Sequence, residues 1–113
     1  MTERALTIEW QMIPKFRSGE LRIVTIPVTD PRNPMAGDYS VGDRFWIRQD
    51  FQKDPEDNIR YRDTPEGNHW TPAVFMGRAD SPFSLEITYV DAEARKDGWY
   101  WVLGVRPVTR PAR

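Results

Sequence analysis

The chain has 113 residues and a formal net charge of -1, from 16 basic and 17 acidic residues, which predicts one domain with no global attraction to polyanions. Any contact with nucleic acid therefore requires a local basic patch. The absence of cysteine excludes disulfides, thiol nucleophiles and zinc sites with cysteine ligands, and it is typical of intracellular proteins. No signal peptide and no membrane-spanning stretch is recognisable, so a cytoplasmic protein that does not enter the membrane is expected.

The chain begins with a predicted strand and a predicted short helix. In residues 5–10 apolar and polar side chains alternate, which is the pattern of a strand with one buried face. Residues 11–18 are predicted to form a short helix, because Pro14 suits a first helical turn and Gly19 suits the residue after a helix end.

The next segment predicts a buried strand followed by a loop. Residues 21–28 are rich in β-branched side chains, and Pro27 indicates a sheet edge or a bulge. Residues 29–40 carry the proline, glycine and aspartate residues that are typical of loops.

Residues 41–50 are predicted to form the central strand of the sheet. Gly42 and Asp43 favour a turn, and the residues after them alternate between two chemically different faces. The inward face is apolar and the outward face is aromatic and cationic: Phe45 and Ile47 point inward, and Arg44, Trp46 and Arg48 point outward. An indole between two guanidinium groups can stack on a planar ring and hold an anion. The alternative is that the two arginines merely pack their stems over Trp46 on an exposed strand.

Residues 52–71 form a long polar insertion, and insertions of this length in small domains are either functional or disordered. Within it, residues 59–62 are predicted to form a short strand that pairs back on Trp46. Tyr61 and Trp70, with their neighbouring arginines and His69, would then face the same groove as the central strand. The alternative is that these aromatic side chains only cover the mouth of the sheet.

The C-terminal part predicts two more strands, over 83–90 and 99–105, joined by a charged turn over 91–98. Phe83, Leu85, Ile87 and Tyr89 are expected to point inward. Gly104 indicates a bulge, and residues 105–113 are predicted to form a flexible tail. Together, these elements predict an α+β chain with five to seven short strands and one or two short helices. A small mixed β-barrel is expected, because open sheet edges invite aggregation.

The sequence indicates no metal, cofactor or catalytic site. His69 is the only histidine and has no partner at a recognised ligand spacing. The acidic residues Asp54, Glu56 and Asp57 lack the glycine and terminal glutamate of a calcium-binding loop, and no glycine-rich phosphate loop is present.

The order of the motifs resembles that of the ASCH domains of the PUA-like superfamily, and in particular their small phage and bacterial members. The motifs are ELRIVTIPV, YSVGDRFWIRQDF, FSLEITYV and DGWYWVLGVRPV, and the resemblance spans residues 8–107. It implies a single PUA-like domain over 1–113. It also implies a cleft between the helix and the central strand that relatives use for RNA or modified nucleobases.

Some ASCH domains are amidohydrolases of acetylated cytidine that use a lysine and a threonine after the helix and a distant glutamate. Here Leu21 stands at the lysine position and Arg22 at the threonine position, while Glu86 is the candidate acid. A leucine can neither take a proton nor polarise a carbonyl group. The resemblance therefore favours a binding function over catalysis.

We expect a non-catalytic module that binds RNA or another single-stranded or modified nucleic acid. The candidate ligand-binding residues are four on the central groove and two stacking aromatics: Arg22, Arg44, Trp46, Arg48, Tyr61 and Trp70. Two alternatives remain: a phage-type protein that binds and inhibits a host enzyme, which the acidic insertion favours, and an amidohydrolase of acylated cytidine.

Overall fold

The computed structural model of the chain describes residues 2–28, 39–66 and 69–108. The seven strands of the described residues are, in chain order, β1 Glu3–Thr7, β2 Ile23–Pro27, β3 Arg44–Arg48, β4 Phe51–Lys53, β5 Ile59–Tyr61, β6 Ser84–Arg95 and β7 Gly98–Val108. The one α-helix among them is α1, Ile13–Arg17, and three 3-10 turns span Trp10–Met12, Ala73–Phe75 and Arg78–Asp80. The predicted α+β class, strand number and helix number are confirmed. The predicted loop at 29–40 lies largely outside the described residues.

Five strands form one mixed sheet in the order β1-β3-β6-β7-β2, and β4 and β5 form a separate hairpin. β1 runs parallel to β3, and the other neighbours are antiparallel. The prediction of a closed barrel is wrong, because β1 and β2 end the sheet as edges and do not pair with each other. The β2 edge contains Pro27, which lacks a backbone N–H and so cannot donate a hydrogen bond to a further strand. Pro27 was predicted to mark a sheet edge or a bulge, and it lies on an edge strand. The prediction of a buried strand here is wrong, because Val24 is the one buried residue of β2 and Ile23 is 49 % exposed.

The hydrophobic core lies between one face of the five-stranded sheet and α1. Alternation on the strands places Ile47, Leu85 and Leu103 on this face, fully buried, and α1 adds Ile13 and Phe16. Burial of each such side chain contributes roughly 1.5–3 kcal/mol. The helix forms where the sequence predicts it, with a proline in its first turn and a glycine at positive φ after its last residue.

The hairpin of β6 and β7 is longer than predicted. Residues 91–95, which were expected in a charged turn, continue β6, and only Lys96 and Asp97 form the turn. Charged residues are compatible with a strand here, because this end of the hairpin extends beyond the core and both of its faces are exposed to solvent. β7 likewise continues to Val108, which pairs with Ser84, so residues 105–108 of the predicted tail are part of the sheet. Residues 109–113 lie outside the described part.

A β-bulge shifts the register between Ile87 and Tyr89. The bulge lies on β6 and not at Gly104, although Gly104 faces it on β7. A Cβ atom at residue 104 would lie 2.4 Å from Tyr89 Cδ1 and 2.8 Å from Thr88 Oγ1, so this position accepts only glycine without rearrangement. The bulge also reverses the alternation, and Tyr89 is 43 % exposed instead of pointing inward as predicted.

The insertion folds as a hairpin of its own. β5 pairs with β4, so the prediction that it pairs back on Trp46 is wrong. The backbone of Phe51 exchanges two hydrogen bonds with Thr71, which ties the end of the insertion to its start. Asp54 accepts hydrogen bonds from the backbone and side chain of Asn58, and these bonds lower the pKa of the Asp54 carboxyl group. This hairpin stands beside α1 and forms one wall of the site described next.

Candidate functional site

The six predicted site residues do not share one groove. Arg44, Trp46 and Arg48 point away from the core on β3, Arg22 lies after α1, and Tyr61 and Trp70 belong to the insertion. The outward orientation of Trp46 is confirmed by the burial of Phe45 and Ile47 on the other face. Because Tyr61 lies on the helix-bearing side and Trp46 on the opposite side, the predicted single groove is wrong.

Arg22 lines a separate depression of about 570 Å3 beside Gly19, Thr88 and Arg106. Its Nε donates a hydrogen bond to the carbonyl oxygen of Gly19 at 2.8 Å. Leu21 packs against the core. The position that the resemblance assigns to a catalytic lysine therefore carries a core side chain.

Glu86 lies on the outer face of the sheet, where it is held by the guanidinium of Arg106. It is thus an ion-pair partner rather than a free acid. Within residues 2–28, 39–66 and 69–108, no group of three or more metal-ligating side chains is close enough to hold a metal ion.

Tyr61 and Trp70 both belong to the insertion, but their side chains have different partners. The hydroxyl of Tyr61 donates to the carbonyl oxygen of Asp80 at 2.7 Å. The indole N–H of Trp70 donates to the carbonyl oxygen of Glu66 at 3.0 Å, and the guanidinium of Arg60 lies 5.5 Å from the indole ring. Tyr61 lines the groove that follows, and Trp70 does not.

A groove of about 490 Å3 runs between α1 and the β4–β5 hairpin, and we call it the helix–hairpin groove. Aromatic and aliphatic side chains form its walls, and three arginines, two amides and one carboxylate line it: Trp10, Gln11, Ile13, Pro14, Arg17, Gln49, Ile59, Arg60, Tyr61, Arg62 and Asp63. Its size and its mixture of apolar walls with few polar groups are typical of sites for small molecules.

Trp10 is held in position by Arg62. The guanidinium carbon of Arg62 lies 5.1 Å from the Trp10 ring, within the range of a cation–π interaction. The same guanidinium donates to Asp50 Oδ2 at 2.9 Å and to the carbonyl oxygen of Thr64 at 3.0 Å. Asp50 Oδ1 in turn accepts a hydrogen bond from the backbone N–H of Ala73. Arg62 is therefore a positioning group with little freedom to leave Trp10.

Gln49 lies in the groove and is 2 % exposed. Its side-chain nitrogen donates to the carbonyl oxygen of Arg62 at 3.3 Å, which directs the amide toward the hairpin. No described residue donates a hydrogen bond to its side-chain oxygen. This oxygen reaches the surface of the groove and can accept a hydrogen bond from a ligand N–H group.

The groove also carries positive charge. Arg17, Arg60 and Arg62 line it against one carboxylate, that of Asp63. Arg62 is neutralised by Asp50, whereas Arg60 makes no ion pair with a described residue. Arg17 donates a hydrogen bond to the backbone carbonyl of Pro82, a neutral group that does not balance its positive charge.

Comparisons with known proteins add no family assignment. The chain matches no protein-family model, no curated protein and no solved structure. The resemblance to ASCH domains stays a prediction. None of the helices in the described ranges has the length and apolar composition that crossing a membrane requires.

Sequence reasoning missed Trp10 and Gln49. Trp10 is the third inward residue of the first alternating stretch and is assigned to the core by that pattern alone. Gln49 continues the inward series of Phe45 and Ile47, and a polar residue at an inward position was the available signal. Neither the hairpin wall nor its distance from α1 is encoded in any local pattern.

Proposed function

We propose that the protein binds a nucleobase, as part of a single-stranded nucleic acid or of a modified nucleotide, in the helix–hairpin groove. The observation that carries this proposal is the pairing of a fixed indole, Trp10, with a buried amide, Gln49, in one groove large enough to hold a nucleobase. The motif order that resembles ASCH domains supports the same ligand class and the same side of the sheet.

Stacking on Trp10 supplies affinity without selecting a particular base. Base–aromatic stacking contributes about 1–3 kcal/mol per base, because every base has a flat π face. Arg62 covers one face of the indole and holds its plane, so little conformational entropy is lost when a base stacks on the other face.

Gln49 supplies selectivity. An amide presents a donor and an acceptor side by side, and so can pair with the edge of a base that carries the complementary groups. A ligand that lacks an N–H group displaces water from this oxygen without replacing its hydrogen bond, and this penalty discriminates more strongly than a missing methyl group does. Each of the four common bases carries an exocyclic amine or an imide N–H, so this contact selects nucleobases over flat ligands without such a group.

Arg17 and Arg60 supply the contact with phosphate. Both are exposed cations at the groove, and an arginine fork matches the geometry of two phosphate oxygens. The leucine at residue 21 supports binding without hydrolysis, because no lysine stands where the resemblance requires a catalytic one.

Calorimetric titration with the four ribonucleoside 5′-monophosphates and with acetylated cytidine tests the proposal. We expect saturable binding of at least one ligand with a Kd below about 1 mM, equivalent to roughly 4 kcal/mol. Arg60→Gln should weaken the binding of the monophosphates, and Arg22→Gln, which replaces another exposed arginine outside the groove, should not. Absence of saturation with every ligand would contradict the proposal.

A second candidate function, binding to another protein, is favoured by one feature of residues 73–76. Ala73 and Met76 are buried, whereas Val74 and Phe75 between them are 62 % and 71 % exposed. Phenylalanine is among the aromatic residues that are enriched in the cores of protein interfaces. Capture of one protein from nuclease-treated lysate, and its loss with Phe75→Ser, would favour this candidate over nucleobase binding.

A further inference from the structure

The outer face of the sheet carries chemistry that the helix–hairpin groove does not use. Arg44, Trp46 and Arg48 lie on β3 with their side chains away from the core. Strand pairing places small residues beside the indole, Ala5 on β1 and Ser84 on β6. Trp46 is half-buried over these neighbours and lies between two guanidinium groups, and Arg48 stands 5.9 Å from its ring.

The row of side chains through Arg44 shows why this arginine has no carboxylate of its own. Its two cross-strand neighbours are Glu3 on β1 and Glu86 on β6. Glu3 is paired with Arg78, and Glu86 is paired with Arg106. Both carboxylates are thus neutralised by other arginines, and neither balances the positive charge of Arg44.

Arg48 is also without an acidic partner. Neither Arg44 nor Arg48 forms an ion pair or a side-chain hydrogen bond with a described residue, and the Nε atom of each is buried without an acceptor. Four arginines therefore face two glutamates across this surface, a local charge of +2 on a chain whose net charge is -1. The buried Nε atoms cannot reach a ligand, but the Nη groups of both arginines reach the surface without a protein acceptor and are suited to phosphate oxygens.

We propose that this outer face, formed by Arg44, Trp46 and Arg48, binds the phosphodiester backbone of a single-stranded nucleic acid. The inference rests on the proposed function, and it makes the ligand of the groove part of a polymer rather than a free nucleotide. Arg44 and Arg48 are four residues apart on a strand, about 13 Å at roughly 3.3 Å per residue, so they contact different phosphates. Trp46 lies midway between them and offers its ring to an unpaired base.

The position of the groove agrees with this arrangement. Arg48 and Gln49 are consecutive residues whose side chains point to opposite faces of the sheet. The outer face therefore ends at the residue where the helix–hairpin groove begins. A chain of several nucleotides has the reach to contact both, whereas a mononucleotide does not.

The salt dependence of oligonucleotide binding tests the inference. For single strands, the slope of log K against log salt falls by about 0.7 for each phosphate contact that is lost. The double variant Arg44→Gln/Arg48→Gln should therefore reduce the slope for a short single-stranded RNA by roughly 1.4. Its affinity for a 5′-mononucleotide should not change. Arg95→Gln is the matched control, because Arg95 is exposed at the far hairpin and should leave the slope unaltered.

The outcomes separate the two proposals. An oligonucleotide that binds no more tightly than a mononucleotide, or an unchanged slope in the double variant, would overturn the outer-face site and leave the groove intact. Oligonucleotide binding that loses the expected slope in the double variant, without any binding of mononucleotides, would overturn the groove and support the outer face. Circular dichroism and thermal unfolding of each variant confirm that the fold is retained.

Discussion

Replacing Trp10 by alanine should weaken the binding of a 5′-mononucleotide by roughly 5- to 150-fold, the equivalent of about 1–3 kcal/mol of lost stacking. The substitution removes the flat surface of the helix–hairpin groove and leaves the Asp50–Arg62 ion pair in place. Trp10→Phe should recover part of the affinity, because a smaller ring still stacks. Calorimetric titration of the three proteins measures the effect.

Trp70→Ala is the matched control for this result. Trp70 also has a guanidinium over its ring, that of Arg60, but it does not line the groove. Its removal should change the affinity for a mononucleotide by less than about threefold, within the scatter of distant surface changes. An equal loss in Trp70→Ala and Trp10→Ala would mean that binding does not occur in the groove.

Replacing Gly104 by alanine should destabilise the fold by about 1–3 kcal/mol, the usual result of inserting a methyl group into a filled space. The new Cβ would lie 2.4 Å from Tyr89 Cδ1 and 2.8 Å from Thr88 Oγ1, closer than any ordinary contact. One of the two strands at the bulge must then move. We expect the melting temperature to fall by roughly 4–8 °C for each kcal/mol lost.

Gly77→Ala provides the comparison for Gly104→Ala. Gly77 has an ordinary φ of -79°, and a Cβ there would meet no atom within 4 Å. Its replacement should leave the melting temperature nearly unchanged or raise it slightly. In a double-mutant cycle, Tyr89→Ala should relieve much of the cost at residue 104. A Gly104→Ala protein as stable as the wild type would show that the bulge does not approach β7 as described.

The strands around the core could be predicted because their patterns are local. Phe45 and Ile47 on β3, and Leu85 and Ile87 on β6, alternate with polar or cationic residues, and each strand is buried on one face only. The helix could be predicted from Pro14 and Gly19 for the same reason. Whether the sheet closes into a barrel could not be predicted, because pairing between β1 and β2 would depend on a contact between distant segments that no local pattern encodes.

The site was harder to predict than the fold. The sequence correctly assigned Trp46 to the outward face, but it could not tell on which side of the sheet the insertion lies. The partners of Glu3 and Glu86, which leave Arg44 unneutralised, also come from distant parts of the chain. Gln49 carries a signal that is visible in the sequence, a polar residue where the alternation predicts an apolar one.

The most direct test of nucleobase binding in the helix–hairpin groove is an NMR titration of the wild-type protein with a saturating 5′-mononucleotide. We expect the indole N–H of Trp10 and the side-chain amide of Gln49 to shift together with a single affinity, and the indole N–H of Trp99, on β7, to stay unchanged. Shifts that bypass Trp10 and Gln49, or no shift at all, would contradict nucleobase binding in the groove.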